Sequence, residues 1–460
     1  MNRVRSGCSG LALRRWAPLV PLLAGFLLQT HAQTMTRVTD RNTPAHRAAG
    51  KFMRGVNLGN YLEYAAGHPA ANAFYDSRDF DLIRAEGFDH VRIPVAWHLY
   101  SADASGFTLA SSIFTKVDAM VDAASSRGLA VLMDWHHFDA FTSSPTANTE
   151  KFYAIWQEVA QHYANAPATV AFELLNEPRD AATTAVMNKI YAEAIRRIRA
   201  TNPNRTIFIG PGNFNSLDEL SLNNGQGLLL PNNDLNVIAT VHSYDPYYFT
   251  HQGAEWALPD TATIGVIFPG PPPAPLQPHP SIQHDWVKTW FKEYNAKPTA
   301  FNPSSPFAFR GRLLRAKRWA EQWGRPVHIG EFGCYSKSAD STSRVNFYRD
   351  MRATMEEQGL GWAMWDWKSG FHYIKDGRPD PPELREAMFP PIQLRVPASG
   401  TLEFDGAVGK TFVVERTASL SEPINWVAVS TQTLTAPKFT FADPEANQLN
   451  GAYYRVKWLK

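Results

Sequence analysis

Eight short runs rich in Val, Ile and aromatic residues alternate with stretches whose apolar residues recur every three or four positions. The runs lie near Phe52–Leu58, His90–Pro94, Ala130–Trp135, Thr169–Leu175, Arg205–Gly210, Val237–Val241, Pro326–Gly330 and Gly361–Asp366. Near-continuous apolar character over so few residues marks strands buried on both faces, as in a parallel sheet. Between them Ile113, Val117, Met120 and Ala124 keep helical spacing, as do Phe152, Ile155, Trp156, Val159 and Tyr163, and Met187, Ile190, Ala194 and Ile198. These stripes are core faces of helices. Repeated βα units with eight strands predict an α/β fold, a (β/α)8 TIM barrel, over residues 33–390.

Two segments break the rhythm. The connection from Asp245 to Gly324 is far longer than a barrel needs and contains Pro269-Gly270-Pro271-Pro272-Pro273. A loop of that length predicts a wall or lid, with a helix from Arg312 to Trp323 returning the chain to the barrel. After Pro391 the pattern changes to short alternating runs, among them Phe412-Val413-Val414, Trp426-Val427-Ala428-Val429, Lys438-Phe439-Thr440-Phe441 and Tyr453-Tyr454-Arg455-Val456. This predicts a small antiparallel β module over 391–460, whose role (polysaccharide binding, tethering or bracing of the barrel) stays open at this point.

The first residues carry Arg3, Arg5, Arg14 and Arg15, then an apolar run from Trp16 to Leu28, then Thr30-His31-Ala32. That order is a secretory signal over 1–32, cut after Ala32; Pro18 and Pro21 and its short length make it a poor membrane span. Cleavage would remove Cys8 and leave Cys334 alone, so no intramolecular disulfide is expected. The expected location is extracellular or periplasmic, with no membrane association after cleavage.

Composition narrows the partner. The chain has 460 residues, 45 basic against 43 acidic for a formal charge of +2, so no global field draws nucleic acid or an anionic membrane. A neutral partner fits better, and nothing in the chain demands an oligomer, so a monomer is expected. Fourteen tryptophans exceed the needs of a plain core; core packing takes most, and stacking platforms for sugar rings are a use for the rest.

The candidate chemistry sits where two of the buried runs end. Phe172-Glu173-Leu174-Leu175-Asn176-Glu177-Pro178 stops abruptly in Asn-Glu-Pro, and Pro326-Val327-His328-Ile329-Gly330-Glu331-Phe332 repeats the pattern of an apolar strand ending in a glutamate. Paired carboxylates presented in this way suit acid/base and nucleophilic work on a glycosidic bond. Together with Arg54-Gly55-Val56-Asn57-Leu58-Gly59-Asn60, His136, His242-Ser243-Tyr244 and Trp365-Asp366-Trp367, in that chain order, these motifs resemble glycoside hydrolase family 5, the cellulase-like retaining glycosidases built on a TIM barrel.

That resemblance implies roles for individual residues. Glu177 would be the general acid/base and Glu331 the nucleophile, about 5 to 5.5 Å apart, with the charge on Glu331 raising the pKa of Glu177. Asn176 would reach the substrate 2-hydroxyl, Arg92 and Tyr244 would contact Glu331, His136 and His242 would complete the polar floor, and Trp365 would be the platform under the sugar. Asn60, Glu63, His137, His251 and Trp256 resemble substrate contacts of the branch active on β-1,4-glucans and mannans. Trp362 and Trp367 read as core.

Asp134, His136-His137 and His242 also invite a metal reading. Adjacent residues of a strand point to opposite faces, which argues against both histidines holding one ion; neither a metal nor a cofactor is expected, and Asp134 reads as a hydrogen-bond partner beneath the site. The expected function is a secreted retaining endo-β-1,4-glycanase acting on polysaccharide or oligosaccharide, glucan before mannan. A mannanase or dual enzyme and an exo-acting enzyme are the alternatives. A non-catalytic carbohydrate-binding barrel would have lost a carboxylate or its supports, yet Glu177, Glu331, Asn176, Arg92 and Tyr244 are all present.

Overall fold

The computed structural model describes residues 35–460 apart from 104–105, 222–226, 391–393, 396–400, 407–410, 422, 435–437, 446–451 and 460. The predicted signal segment, 1–32, lies outside the described residues. Among those described, no helix is long and apolar enough to cross a membrane.

Eight parallel strands close into a barrel: β1 (Arg54–Asn57), β2 (His90–Val95), β3 (Ala130–Trp135), β4 (Val170–Glu173), β5 (Ile207–Ile209), β6 (Val237–His242), β7 (Val327–Phe332) and β8 (Gly361–Met364). Each sits within one of the expected runs or extends it by one or two residues. β1 pairs with both β2 and β8, which closes the ring and leaves no sheet edge. The predicted helical stripes lie on helices Ser111–Ser125, Pro145–His162 and Thr184–Arg199, where Ile113, Val117, Met120, Ile155, Trp156, Val159, Met187 and Ile198 are buried.

Alternation along the strands sorts side chains into two layers. Val91, Ile93, Val131, Met133, Val170 and Phe172 face the helices, within the large outer core. Ala130, Leu132, Ala171, Phe208 and Ile238 fill the barrel interior with Phe52. The same inward parity places Arg92, Asp134 and Glu173 higher in the barrel, each fully buried. The interior is therefore apolar at the N-terminal end of the strands and ionic just beneath the C-terminal end.

The long connection is a wall packed on the barrel. Ile267 donates to the Tyr294 hydroxyl at 2.9 Å, Phe268 to the Ser343 hydroxyl at 2.9 Å, and Val266 and Phe268 are buried. It carries a helix at Asp285–Ala296, and the returning helix runs Phe307–Trp323, five residues earlier than Arg312. Pro306 starts it, and Gly311, a poor helix former, obscured its first turn in the sequence.

The C-terminal strands β9 (Leu394–Arg395), β10 (Leu402–Asp405), β11 (Thr411–Thr417), β12 (Val427–Thr433), β13 (Lys438–Phe441) and β14 (Tyr453–Leu459) form two three-stranded antiparallel sheets, β9-β10-β13 and β12-β11-β14. Leu402, Phe404, Phe412, Val414 and Leu434 make their core. Thr433 and Leu434 also line a cavity of about 640 Å³ with Phe52, Phe208 and His328, at the N-terminal end of the barrel and away from the candidate site.

Candidate active site

A cleft of about 890 Å³ opens at the C-terminal end of the strands, lined among others by Asn60, His136, His137, Glu177, His242, Tyr244, His251, Trp256, Glu331 and Trp365. These come from the ends of six different strands and the loops that follow them, the arrangement that makes this end of a TIM barrel the place for chemistry.

Parity alone would turn Glu331 away from the cleft, because His328 and Gly330 face inward and Ile329 lies in the outer core. A register irregularity corrects this. Val241 pairs with Ile329 but His242 pairs with Glu331, and β8 shows the same shift, Trp362 opposite Ile329 and Met364 opposite Phe332. The bulge spends one residue at Gly330 and brings Glu331 back to the interior. Glycine is needed there, since a Cβ would stand 2.7 Å from the Thr240 hydroxyl. Glu177 is aimed differently, by a left-handed backbone at φ 46° just beyond β4.

The two carboxyls meet over a buried network. Arg92 donates to Glu331 at 2.8 Å, to Glu173 at 2.8 and 3.0 Å, to Asn57 at 2.9 Å and to Asn176 at 2.8 Å, and pairs with Asp134 at 3.0 Å. The Tyr244 hydroxyl donates to the other oxygen of Glu331 at 2.8 Å. Asp134 also meets His136 at 3.1 Å, and His136 stacks on Trp365 with ring centroids 5.5 Å apart. Gly59 admits that tryptophan, because a Cβ there would lie 2.8 Å from its ring. His242 links the pair: its Nδ1 is 2.9 Å from Glu177 and 3.7 Å from Glu331.

Glu177, His242 and Glu331 present donor atoms all within 4.8 Å of one another. A cation could span such a set, but Glu331 already has one oxygen on the Arg92 guanidinium and the other on Tyr244, which makes it a poor ligand. The side chain of Glu177 is 22% exposed against 6% for Glu331, so Glu177 is the carboxyl that reaches the open cleft.

Burial raises both carboxyls, Glu177 to about 7 and Glu331 to about 6. Glu331 stays lower because His242, Arg92 and the Tyr244 hydroxyl oppose its burial. Burial is the main cause for Glu177, the charge of Glu173 adds to it, and the repulsion expected between the pair acts as an upward push of Glu177 on Glu331. Burial lowers His242, against the charge of Glu331, and holds His136 well below the usual imidazole range.

Of the residues expected at the site, Glu177, Glu331, Asn176, Arg92, His136, His242, Tyr244 and Trp365 converge. Asn60, His137, His251 and Trp256 line the cleft around them. Glu63 does not: it is buried, and its carboxylate accepts the backbone N–H groups of Asn60 and Tyr61, so it shapes the turn that presents Asn60. His136 and His137 do not point to opposite faces as expected, because β3 ends at Trp135 and His137 is left-handed at φ 54°; both rings face the cleft, 4.2 Å apart and edge to face.

Sequence reasoning passed over Glu173 and Asn57, both Arg92 partners. A lone charge inside the apolar run Phe172-Glu173-Leu174 was the available signal for the first. It also passed over Asn215, buried beside His242 with its amide 3.3 Å from Nε2, and over Phe214, Tyr247, Tyr335 and Phe371 on the cleft walls.

Comparison with known proteins agrees with this geometry. The family model described as cellulase (glycosyl hydrolase family 5) matches residues 54–370. Endoglucanase 3 of Fibrobacter succinogenes is 28% identical over 75% of this chain, and Endoglucanase C of Acetivibrio thermocellus is 28% identical over 72% of this chain and 96% of its own length. The chain spans about half of Endoglucanase 3, 54% of its length, and 29% of Endoglucanase H of Acetivibrio thermocellus. Among solved structures, Thermotoga maritima Cel5A in complex with mannotriose superposes with a TM-score of 0.62 at 28% identity, covering 75% of this chain and all of that one, 100%. With the barrel closed, the paired glutamates in place and the match running from the first barrel strand to beyond the last, this chain belongs to glycosyl hydrolase family 5.

Proposed function

We propose that this protein is a secreted endo-β-1,4-glycanase that hydrolyses β-glucan with net retention. The observation that carries the reading is the approach of the Glu177 and Glu331 carboxylate oxygens to within 4.8 Å. A retaining pair stands about 5 to 5.5 Å apart, whereas an inverting pair needs about 6.5 to 9.5 Å to admit a water.

In this mechanism Glu331, held by Arg92 and Tyr244, attacks the anomeric carbon as the C1–O bond breaks. Glu177 gives its proton to the departing oxygen. His242 Nδ1, 2.9 Å from one oxygen of Glu177, orients the acid, and Asn215 lies against the opposite ring nitrogen. Water then attacks the glycosyl ester on Glu331, and Glu177, now a base, takes its proton. Asn176, fixed between Arg92 and His136, is oriented toward the sugar 2-hydroxyl. The 1–32 segment supplies export, and the β module of 391–460 braces the N-terminal end of the barrel, where Thr433 and Leu434 share a cavity lining with Phe52 and Phe208.

The endoglucanase names of the relatives support glucan as substrate. Solved Thermotoga maritima Cel5A complexes with both cellobiose and mannotriose favour a second reading, a dual glucan/mannan enzyme. Reducing-sugar release from carboxymethylcellulose, mixed-linkage β-glucan, glucomannan and pure mannan tests both. Glucans are expected to be cleaved fastest; mannan cleaved alone would move the specificity to the contacts around Asn60, Glu63 and His251, and release from none would overturn the endo-glycanase reading in favour of small glycosides or binding without turnover.

The pH profile of kcat/KM follows from the two carboxyls. Rate rises as Glu331 loses its proton near pH 6 and falls as Glu177 loses its proton near pH 7, giving a narrow bell between those values that belongs to the coupled pair. A profile flat from about pH 4 to about pH 9 would contradict this pairing of ionised nucleophile and protonated acid.

A further inference from the structure

We propose that Phe214 is a binding platform for the sugar ring on the leaving-group side of the scissile bond. The proposal rests on the reading of Glu177 as the proton donor. After β5 the chain turns through Asn213, Phe214 and Asn215, three consecutive non-glycine residues in the left-handed region with φ of 52°, 61° and 54°. Asparagine tolerates that conformation, but a bulky residue pays about 1 to 2 kcal/mol for it. The phenylalanine recovers only part of this by burial, since the residue lies 51% exposed. A glycine would meet the same backbone demand without strain, and strain retained at a cleft points to a use for the side chain.

The position says which use. The Phe214 N–H donates at 3.0 Å to the carbonyl of Pro178, the residue after Glu177, and the ring lines the catalytic cleft. The Arg179 guanidinium sits 5.6 Å from the ring centroid and so limits the orientations available to it. Around the barrel, Trp365 follows β8 and Phe214 follows β5, three strands away, with Glu177 following the neighbouring β4. A glycan whose cleaved sugar rests on Trp365 and whose bridging oxygen meets Glu177 therefore extends past Glu177 toward Phe214. The apolar C–H face of a β-linked pyranose suits an exposed aromatic ring.

The test compares two substrates that share the cleaved sugars and differ on the leaving side: cellopentaose, and β-cellobiosyl fluoride, whose leaving group carries no ring. For Phe214→Ala, kcat/KM on cellopentaose is expected to fall at least about tenfold while the fluoride is hydrolysed at the wild-type rate, and Phe214→Trp should keep activity on both. Phe214→Gly should match Phe214→Ala in activity with a Tm no lower than that of the wild type. Equal losses on both substrates, or no loss on cellopentaose, would overturn the platform. A wild-type enzyme inactive on both substrates would overturn the glucanase reading itself, and the platform with it.

Discussion

Glu331→Gln is expected to lower kcat on β-glucan by about four orders of magnitude or more while binding of the glycan persists. The interaction lost is one made only as the anomeric carbon is attacked, so the ground-state complex is spared. The substitution is nearly isosteric and should leave the fold intact for a specific reason. Arg92 keeps Glu173 at 2.8 Å and Asp134 at 3.0 Å, so its buried charge stays compensated when the third carboxylate becomes an amide. Turnover measured with a reducing-sugar assay, alongside cellotetraose binding by calorimetry, separates the two effects. Residual activity above about one per cent of wild type would remove Glu331 from the nucleophile's place.

The barrel was readable because each strand is a short, apolar run with helical spacing on either side, and the physics that buries such runs depends little on the particular residues. Most of the polar site was readable for a related reason: Glu177, Glu331, His242 and Tyr244 follow strands directly, so chain position predicts their height in the barrel. What escaped were features that depend on parity and backbone handedness. Period-two alternation would point Glu331 outward, and only the bulge at Gly330 reverses it. Left-handed backbone at Asn60, His137, Glu177 and Asn213–Asn215 aims side chains in ways no spacing rule anticipates. Glu63 was misplaced because a carboxylate tied to two backbone N–H groups and one presented to a ligand share the same local sequence.

The strained positions and the ionic layer work together. Glu173, Asp134 and Asn57 fix the Arg92 guanidinium from below, and Arg92 in turn fixes Glu331 and Asn176. Preorganised donors of this kind need no rearrangement as charge develops at the anomeric centre. The acid side is built separately, with His242 and Asn215 orienting Glu177 from β6 and the turn after β5. The nucleophile is therefore held by a buried ionic array, and the acid by the buried pair His242 and Asn215 with its own carboxyl 22% exposed to the cleft, where its proton must enter and leave.

That separation predicts opposite kinetic behaviour when the acid is removed. Glu177→Ala should lower hydrolysis of β-glucan by about 10² to 10⁴-fold, the range for loss of a positioned proton donor. β-Cellobiosyl fluoride bypasses this step, because fluoride leaves without protonation as the Glu331 oxygen bonds to C1. The variant should then release a burst of fluoride equal to the enzyme concentration and stall as the ester, since no base remains to activate water. Intact-protein mass would rise by one cellobiosyl unit, on Glu331 by peptide mapping. Glu331→Gln should show neither burst nor adduct. If the adduct formed in Glu331→Gln and failed to form in Glu177→Ala, the two roles would be exchanged; adducts in neither variant would mean that hydrolysis proceeds without a glycosyl enzyme, and the retaining reading of the 4.8 Å approach would fall.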